Sequence, residues 1–226
     1  QPPGFLSLMT ASAASGTCGT SATWSLESGV LTISGSGAMA DYENLQKTPW
    51  YNNRNSITSV VVGKNITHIG DNAFSLTNLS SFTFEEGSQL QSIGDGVFNN
   101  CTKLSATITL PSTVSSVSGG SFMNCSITGV QVDAANPYYS SSDGVLYNKN
   151  QTEIVWCPKS KAKGTFALPD TVTRIGDYGF YYAANLTGIT IPAKVTSIGN
   201  YAFYNTSLTQ AGFKIEENSK LESVGD

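Results

Sequence analysis

The chain has 226 residues, of which 12% are charged, and a formal net charge of −4. A surface this sparsely charged and slightly acidic cannot track a phosphate backbone or an anionic membrane, which excludes nucleic acid as a partner class. No apolar run reaches the roughly 18 residues of a membrane-crossing helix, and Ser, Thr, Asn, Gly and Tyr fill the polar positions, as suits an extracellular setting.

Residues 1–17 are expected to lie outside the fold. Phe5 to Ala14 reads FLSLMTASAA, either the tail of a secretion signal with Ala11-Ser12-Ala13 as its cleavage site, or a leader with no structure of its own. Residues 18–56 read as a separate N-terminal unit. In it Thr23 to Glu27 and Val30 to Ser34 alternate apolar with polar residues across Ser28-Gly29, the pattern of a β-hairpin. The chain after residue 56 is repetitive, and the first coil of a repeat array exposes its apolar edge unless something covers it. The hairpin is therefore read as an N-terminal cap, with Trp24 and Trp50 as its apolar plugs. Gly35-Ser36-Gly37-Ala38-Met39-Ala40 mimics a phosphate-binding loop, but Pro49 arrives before the helix that such a loop needs.

Residues 57–226 carry the repeat. VTRIGDYGFYYAANLTGITIP, from Val172 to Pro192, returns as VTSIGNYAFYNTSLTQAG from Val195 to Gly212, with earlier copies over Ile66 to Phe84 and Leu90 to Leu110. One half of each copy supplies inward residues such as Leu79, Phe82 and Phe84, or Leu186, Ile189 and Ile191. Side chains alternate faces along an extended segment, so the residue between the last two of each triplet points outward. These are Thr83, Thr109, Gln131, Thr190 and Lys214, expected to form one row on an exposed parallel sheet.

The other half reads I-G-D-x-small-F. Gly70, Gly94, Gly176, Gly199 and Gly225 are read as bends that need positive φ, and Asp71, Asp95, Asp177 and Asn200 as N-caps of short helical turns. Phe74, Phe98, Phe122, Phe180 and Phe203 are read as a core ladder. Phe74, Phe98 and Phe122 follow one another at intervals of 24 residues, a period typical of leucine-rich repeats. Between Phe122 and Phe180 the interval is 58 residues, which makes room for an inserted hairpin at about 133–167 with strands at Gly144 to Tyr147 and Glu153 to Cys157. Phe213 to Asp226 matches Phe82 to Asp95 position for position, so the last coil is expected to be incomplete within this sequence.

Candidate chemistry is sparse. His68 is the one histidine and shares a column with Ser92, Ser116, Arg174 and Ser197, so it reads as a replaceable surface residue rather than the base of a Ser-His-Asp group. Glu85-Glu86 and Glu216-Glu217 sit at one repeated strand exit and read as a solvated edge rather than a glycosidase pair. Cys101 and Cys125 share a column, as buried thiols or as a disulfide between coils, and no CxxC or HExxH metal motif occurs. Asn100, Asn124 and Asn205 begin Asn-x-Ser/Thr triplets that the repeat itself generates. No catalytic residue, cofactor or metal is expected.

The reiterated I-G-D-x-A-F motif, the NPYYSSSDGVLYN…CP insertion and the CG…W…ISGSGAM…PW opening closely resemble the BspA-type leucine-rich repeat family over residues 18–226. Ser118-Gly119 departs from the pattern by replacing Gly-Asp in one repeat. The resemblance implies a β-rich solenoid displayed on, or secreted from, bacteria and some mucosal protists, and a role as an adhesin or host-interaction protein.

The fold expected is thus a β-rich α/β leucine-rich repeat solenoid: a parallel sheet, short helical turns opposite it, and an N-terminal hairpin cap. The function expected is recognition of a host extracellular protein or peptide through Thr83, Thr109, Gln131, Thr190 and Lys214. Two alternatives stand beside it. One is glycan binding by stacking on Tyr138, Tyr139, Tyr147 and Trp156 of the insertion, with Asn136 and Asp143 as hydroxyl partners. The other is a structural stalk.

Overall fold

The computed structural model describes residues 14–226. The expected leader lies outside the described residues as far as residue 13, but its end belongs to the fold: Ala14–Thr17 is the strand β1. It pairs antiparallel with β2 (Ala22–Glu27), which pairs antiparallel with β3 (Val30–Gly35). Ser28 and Gly29 join β2 to β3 with φ of 49° and 82°. Two successive left-handed residues give the turn whose twist matches a hairpin.

The coils that follow contribute β4 (Gly37–Ala38), β5 (Ser59–Val62), β6 (Ile66–Ile69), β7 (Ser81–Phe84), β8 (Ser92–Ile93), β9 (Thr107–Leu110) and β10 (Gly129–Val132). An antiparallel meander of β11 (Tyr139–Ser142), β12 (Val145–Asn148) and β13 (Glu153–Trp156) comes next. The described chain ends with β14 (Gly164–Phe166), β15 (Arg174–Ile175), β16 (Leu186–Ile191), β17 (Ser197–Ile198), β18 (Phe213–Ile215) and β19 (Ser223–Val224).

Two parallel stacks run along the solenoid. One holds β3, β5 and β7, then β9 and β10, then β14, β16 and β18. The other holds β4, β6 and β8, then β13, β15, β17 and β19, with a bridge from Ser92 to Ser116 extending its first part. Ladder pairs such as Val60 with Phe82 and Ile108 with Val130 put like residues of consecutive coils side by side. The inserted hairpin is not an appendage, because β13 is itself a rung that pairs in parallel with β15.

Phe74, Phe98, Phe122 and Phe180 are fully buried. Phe98 stacks on Phe122 with centroids 5.8 Å apart, Phe122 on Trp156 at 4.5 Å, and Trp50 on Phe74 at 5.8 Å. Trp50 and Trp156 therefore fill ladder positions for which the sequence offers no phenylalanine. The interior divides into two apolar clusters. Leu146, Val155 and Trp156 belong to the first, while Val145, Tyr147, Ile154 and Cys157 belong to the second.

Three local expectations are corrected. The repeat glycines Gly70, Gly94, Gly176, Gly199 and Gly225 do not take positive φ. They are glycine because the preceding coil leaves no room: a Cβ on Gly94 would lie 2.3 Å from Asp71 Oδ1, and one on Gly70 1.7 Å from the Ala40 carbonyl. Left-handed backbone falls instead on Asn72, Gly96, Tyr178 and Tyr201, and again on Asn100, Asn124, Tyr182 and Asn205. Asparagine tolerates that region through local hydrogen bonding, which explains the Asn-x-Ser/Thr triplets without glycosylation.

The aspartates, secondly, do not cap helices of their own coil. Asp71 Oδ1 accepts the N–H of Asp95, Asp177 Oδ1 that of Asn200, and Asn200 Oδ1 that of Asp226. Each carboxylate or amide reaches the next coil. Thirdly, the segments following them are turns rather than helices, except for the 3-10 helix Gly119–Phe122, which Ser118 caps by accepting from Gly120.

Candidate functional site

Thr83, Thr109, Gln131, Thr190 and Lys214 are all exposed, but the first stack does not carry them as one row. Thr109 is in register with Gln131 and Thr190 with Lys214, while Thr83 pairs back to Val61. Among the described residues no ladder joins β7 to β9 or β10 to β14, so the row is three separate pieces.

The first gap lacks one exit bond. At strand exits the backbone N–H donates to the preceding coil: Gly63 to Ile33, Glu85 to Val62, Asp133 to Leu110 and Glu216 to Ile191. The residue in that position after β9 is Pro111, which has no N–H to give to Phe84; Pro192 stands in the same position after β16, where the ladder to β14 still forms, so the missing donor adds to the gap without being sufficient for it. The loop Glu85-Glu86-Gly87-Ser88-Gln89 also lengthens this coil. Between β7 and β9 lies a cleft of about 400 Å³, lined by both strands and by Glu85, Pro111 and Asp133.

The second gap is filled by the insertion. Val130 donates its N–H to the Gly144 carbonyl and Val132 donates to Ser141 Oγ. A second hollow of about 620 Å³ remains beside Gln131, Asp143 and Lys161, the last two paired at 3.1 Å.

The aromatic alternative is corrected. Tyr147 and Trp156 are buried at 4% and 2% exposure, and Tyr139 turns inward so that its hydroxyl accepts the Val117 N–H at 3.0 Å. Asn136 is also buried, donating to Pro111 and Val114 and accepting from Tyr138 and Tyr139. Only Tyr138 is well exposed, and one ring is not a sugar platform. These residues are large because they build the junction between two cores.

His68 is more engaged than a replaceable surface residue. Its Nε2 is 2.8 Å from Asp41 Oδ1 and its Nδ1 2.6 Å from Ser92 Oγ. The hydrogen bond from His68 holds the Asp41 carboxyl below the usual range, burial opposes that shift, and the Asp71 N–H adds to it. Asp41, His68 and Ser92 thus form the chain of a Ser-His-Asp group. Acyl transfer also needs free N–H donors for an oxyanion. Beside Ser92 the N–H of Ile93 is given to Ser116 and that of Gly94 to Ile69, which leaves neither for an oxyanion, and the chain of bonds from Asp41 to Ser92 ties three coils together.

The acidic pairs are partly structural too: Glu85 Oε2 accepts the Lys64 N–H and Glu216 Oε2 the Ala193 N–H, one coil back in each case. All four cysteines are buried free thiols. Burial pushes Cys101 and Cys125 up to about 12, so neither is a thiolate nucleophile. No cluster suited to a metal ion is found among the described residues.

A family model described as a BspA type leucine rich repeat region matches in six copies over residues 47–148 and 157–225. The chain belongs to that family. The match begins at residue 47, inside the expected cap, and covers the solenoid and the insertion apart from residues 149–156. Among solved structures, the chain is similar to a leucine-rich repeat protein from Eubacterium ventriosum, at 24% identity and a TM-score of 0.51 over 95% of this chain and 85% of that one. It is also similar to the pneumococcal vaccine antigen PcpA, at 15% identity and a TM-score of 0.55 over 96% and 78%. A leucine rich cell surface protein from Faecalibacterium prausnitzii aligns at 18% identity, over 95% and 77%, with a TM-score of only 0.42. At such identities the likeness speaks for the fold alone. No curated protein matches the chain.

Proposed function

We propose that this BspA-type solenoid is an extracellular recognition module that binds a host protein or peptide on the face carrying Thr83, Thr109, Gln131, Thr190 and Lys214. The observation that carries the reading is the cleft between β7 and β9, where Thr83 and Thr109 stand on opposite strands beside an opening in the sheet. Solenoids bind through surfaces assembled from small contributions of several coils, and a concave break offers more contact than a flat row. With three threonines, one glutamine and a single lysine, the row favours hydrogen bonding over electrostatic capture. No described helix is long and apolar enough to cross a membrane.

Binding to immobilised host matrix proteins and mucins tests the reading, with the parent compared against the double variant Thr109→Lys, Gln131→Lys. Both positions are exposed and neighbour each other in one ladder, so the variant keeps the fold. Loss of binding by about tenfold is expected; equal binding by parent and variant removes the site from this face.

A further inference from the structure

We propose that the opening between β7 and β9 takes up one extended segment of a partner polypeptide as an added strand, with a lysine or arginine of that segment lying between Glu85 and Asp133. The proposal rests on the reading of this face as a protein-binding surface and specifies its mode.

Backbone direction makes the argument. Ser81 and Glu85 both donate toward β5, to Thr58 and Val62. Residues two apart in a strand point the same way, so the N–H and C=O groups of Phe82 and Phe84 face the opposite side, which is the cleft. On the other wall, the carbonyls of Ala106 and Leu110 accept from Thr128 and Asp133 of the next coil, so Thr107 and Thr109 face the cleft. Two strand edges of one solenoid therefore confront each other across the opening with no ladder between them. Unpaired edges of this kind are templates for another chain.

Two features of the sequence weaken closure of the opening. Pro111 removes the N–H that ties the exits at Gly63, Glu85, Asp133 and Glu216 to the coil before them, and the longer loop 85–89 separates β7 from β9 further. The side chains at the rim supply charge: Glu85 and Asp133 are both exposed and line the same end of the cleft. An extended peptide with one basic residue matches these walls and this rim. The hydroxyls of an oligosaccharide do not reproduce the alternating N–H and C=O spacing of a strand edge.

The test uses the full chain and an arrayed set of short peptides of alternating threonine and valine, with a single lysine moved through the register. A second set carries N-methyl groups on alternate backbone amides. Added-strand binding predicts that the tightest peptides lose about tenfold or more on N-methylation, since two or three backbone hydrogen bonds are removed. Hydrogen exchange at Phe82, Phe84, Thr107 and Thr109 is expected to slow when peptide binds. Thr109→Pro, which removes an N–H facing the cleft and none facing β10, is expected to weaken binding to the same degree. Binding that is indifferent to N-methylation and leaves those amides unprotected overturns strand addition while the face keeps its role. If neither these peptides nor the matrix proteins and mucins bind the parent, both readings fall.

Discussion

The backbone N–H of Asp95 donates to the side chain of Asp71, one coil earlier, at 2.8 Å. The same bond joins Asp71 to Asp41 and Asn200 to Asp177, so a short acceptor in this column acts as a clasp between coils. Asp71→Ala is expected to cost about 1–2 kcal/mol, because the Asp95 N–H loses its partner, whereas Asp71→Asn keeps the oxygen and costs less than half as much. Gly94→Ala, which drives a methyl group to 2.3 Å from the same oxygen, is expected to cost about 2 kcal/mol or more. Denaturant unfolding of the three variants checks the order.

The aromatic ladder makes a larger demand. Phe98 is fully buried and stacked on Phe122, and Trp156 is stacked on the other side of Phe122, so Phe98→Ala and Trp156→Ala are each expected to cost about 3–5 kcal/mol. Tyr138→Ala, at a position 54% exposed, is expected to stay within about 0.5 kcal/mol of the parent. A Trp156 variant that unfolds like the parent would place that ring on the surface and revive the glycan reading.

Acid stability reports on Asp41. Its carboxyl is held below the ordinary range chiefly by the His68 hydrogen bond, against burial, so the ionised form is the one the fold favours. A depressed carboxyl stabilises at pH above its unfolded value, and the contribution disappears as pH falls through its folded value. Asp41→Asn is therefore expected to lower the melting temperature slightly at neutral pH and to converge with the parent in acid. Thermal melts across the acid range read this directly.

Thiol counting gives an independent check on burial. Cys101 and Cys125 are pushed up to about 12 and Cys18 to about 11, each by burial. In the native protein at mildly alkaline pH, an aromatic disulfide reagent is expected to find essentially no reactive thiol, and all 4 cysteines are expected to react once the chain is unfolded.

The periodic apolar positions were legible because burial imposes them: Leu79, Phe82, Ile108, Val130, Ile189 and Ile191 all point inward as the alternation requires. The reason for each repeat glycine was not legible. Positive φ and close approach select the same residue, and only the coil spacing tells them apart. The sheet row was visible as a column, but a column does not reveal whether neighbouring strands bond. Pro111 is no sufficient signal, since Pro192 stands in the same position after β16 and that strand still pairs with β14. The sequence leaves Trp156 open between docking and display, because an aromatic in an insertion looks the same in either role. The bonds of His68 to Asp41 and Ser92 depend on coil stacking that spacing alone does not fix.

The hairpin of β12 and β13 gives one face to each of the two apolar clusters, with Leu146 and Trp156 on one side and Tyr147 and Ile154 on the other. It therefore serves as a bulkhead. In a simple array, loss of one terminal coil exposes the next and fraying runs on unchecked, whereas here each half ends against a wall that the other half also supports. Under chemical or mechanical load the solenoid should come apart in two cooperative steps, and damage to its C-terminal coils should leave the face with the cleft intact.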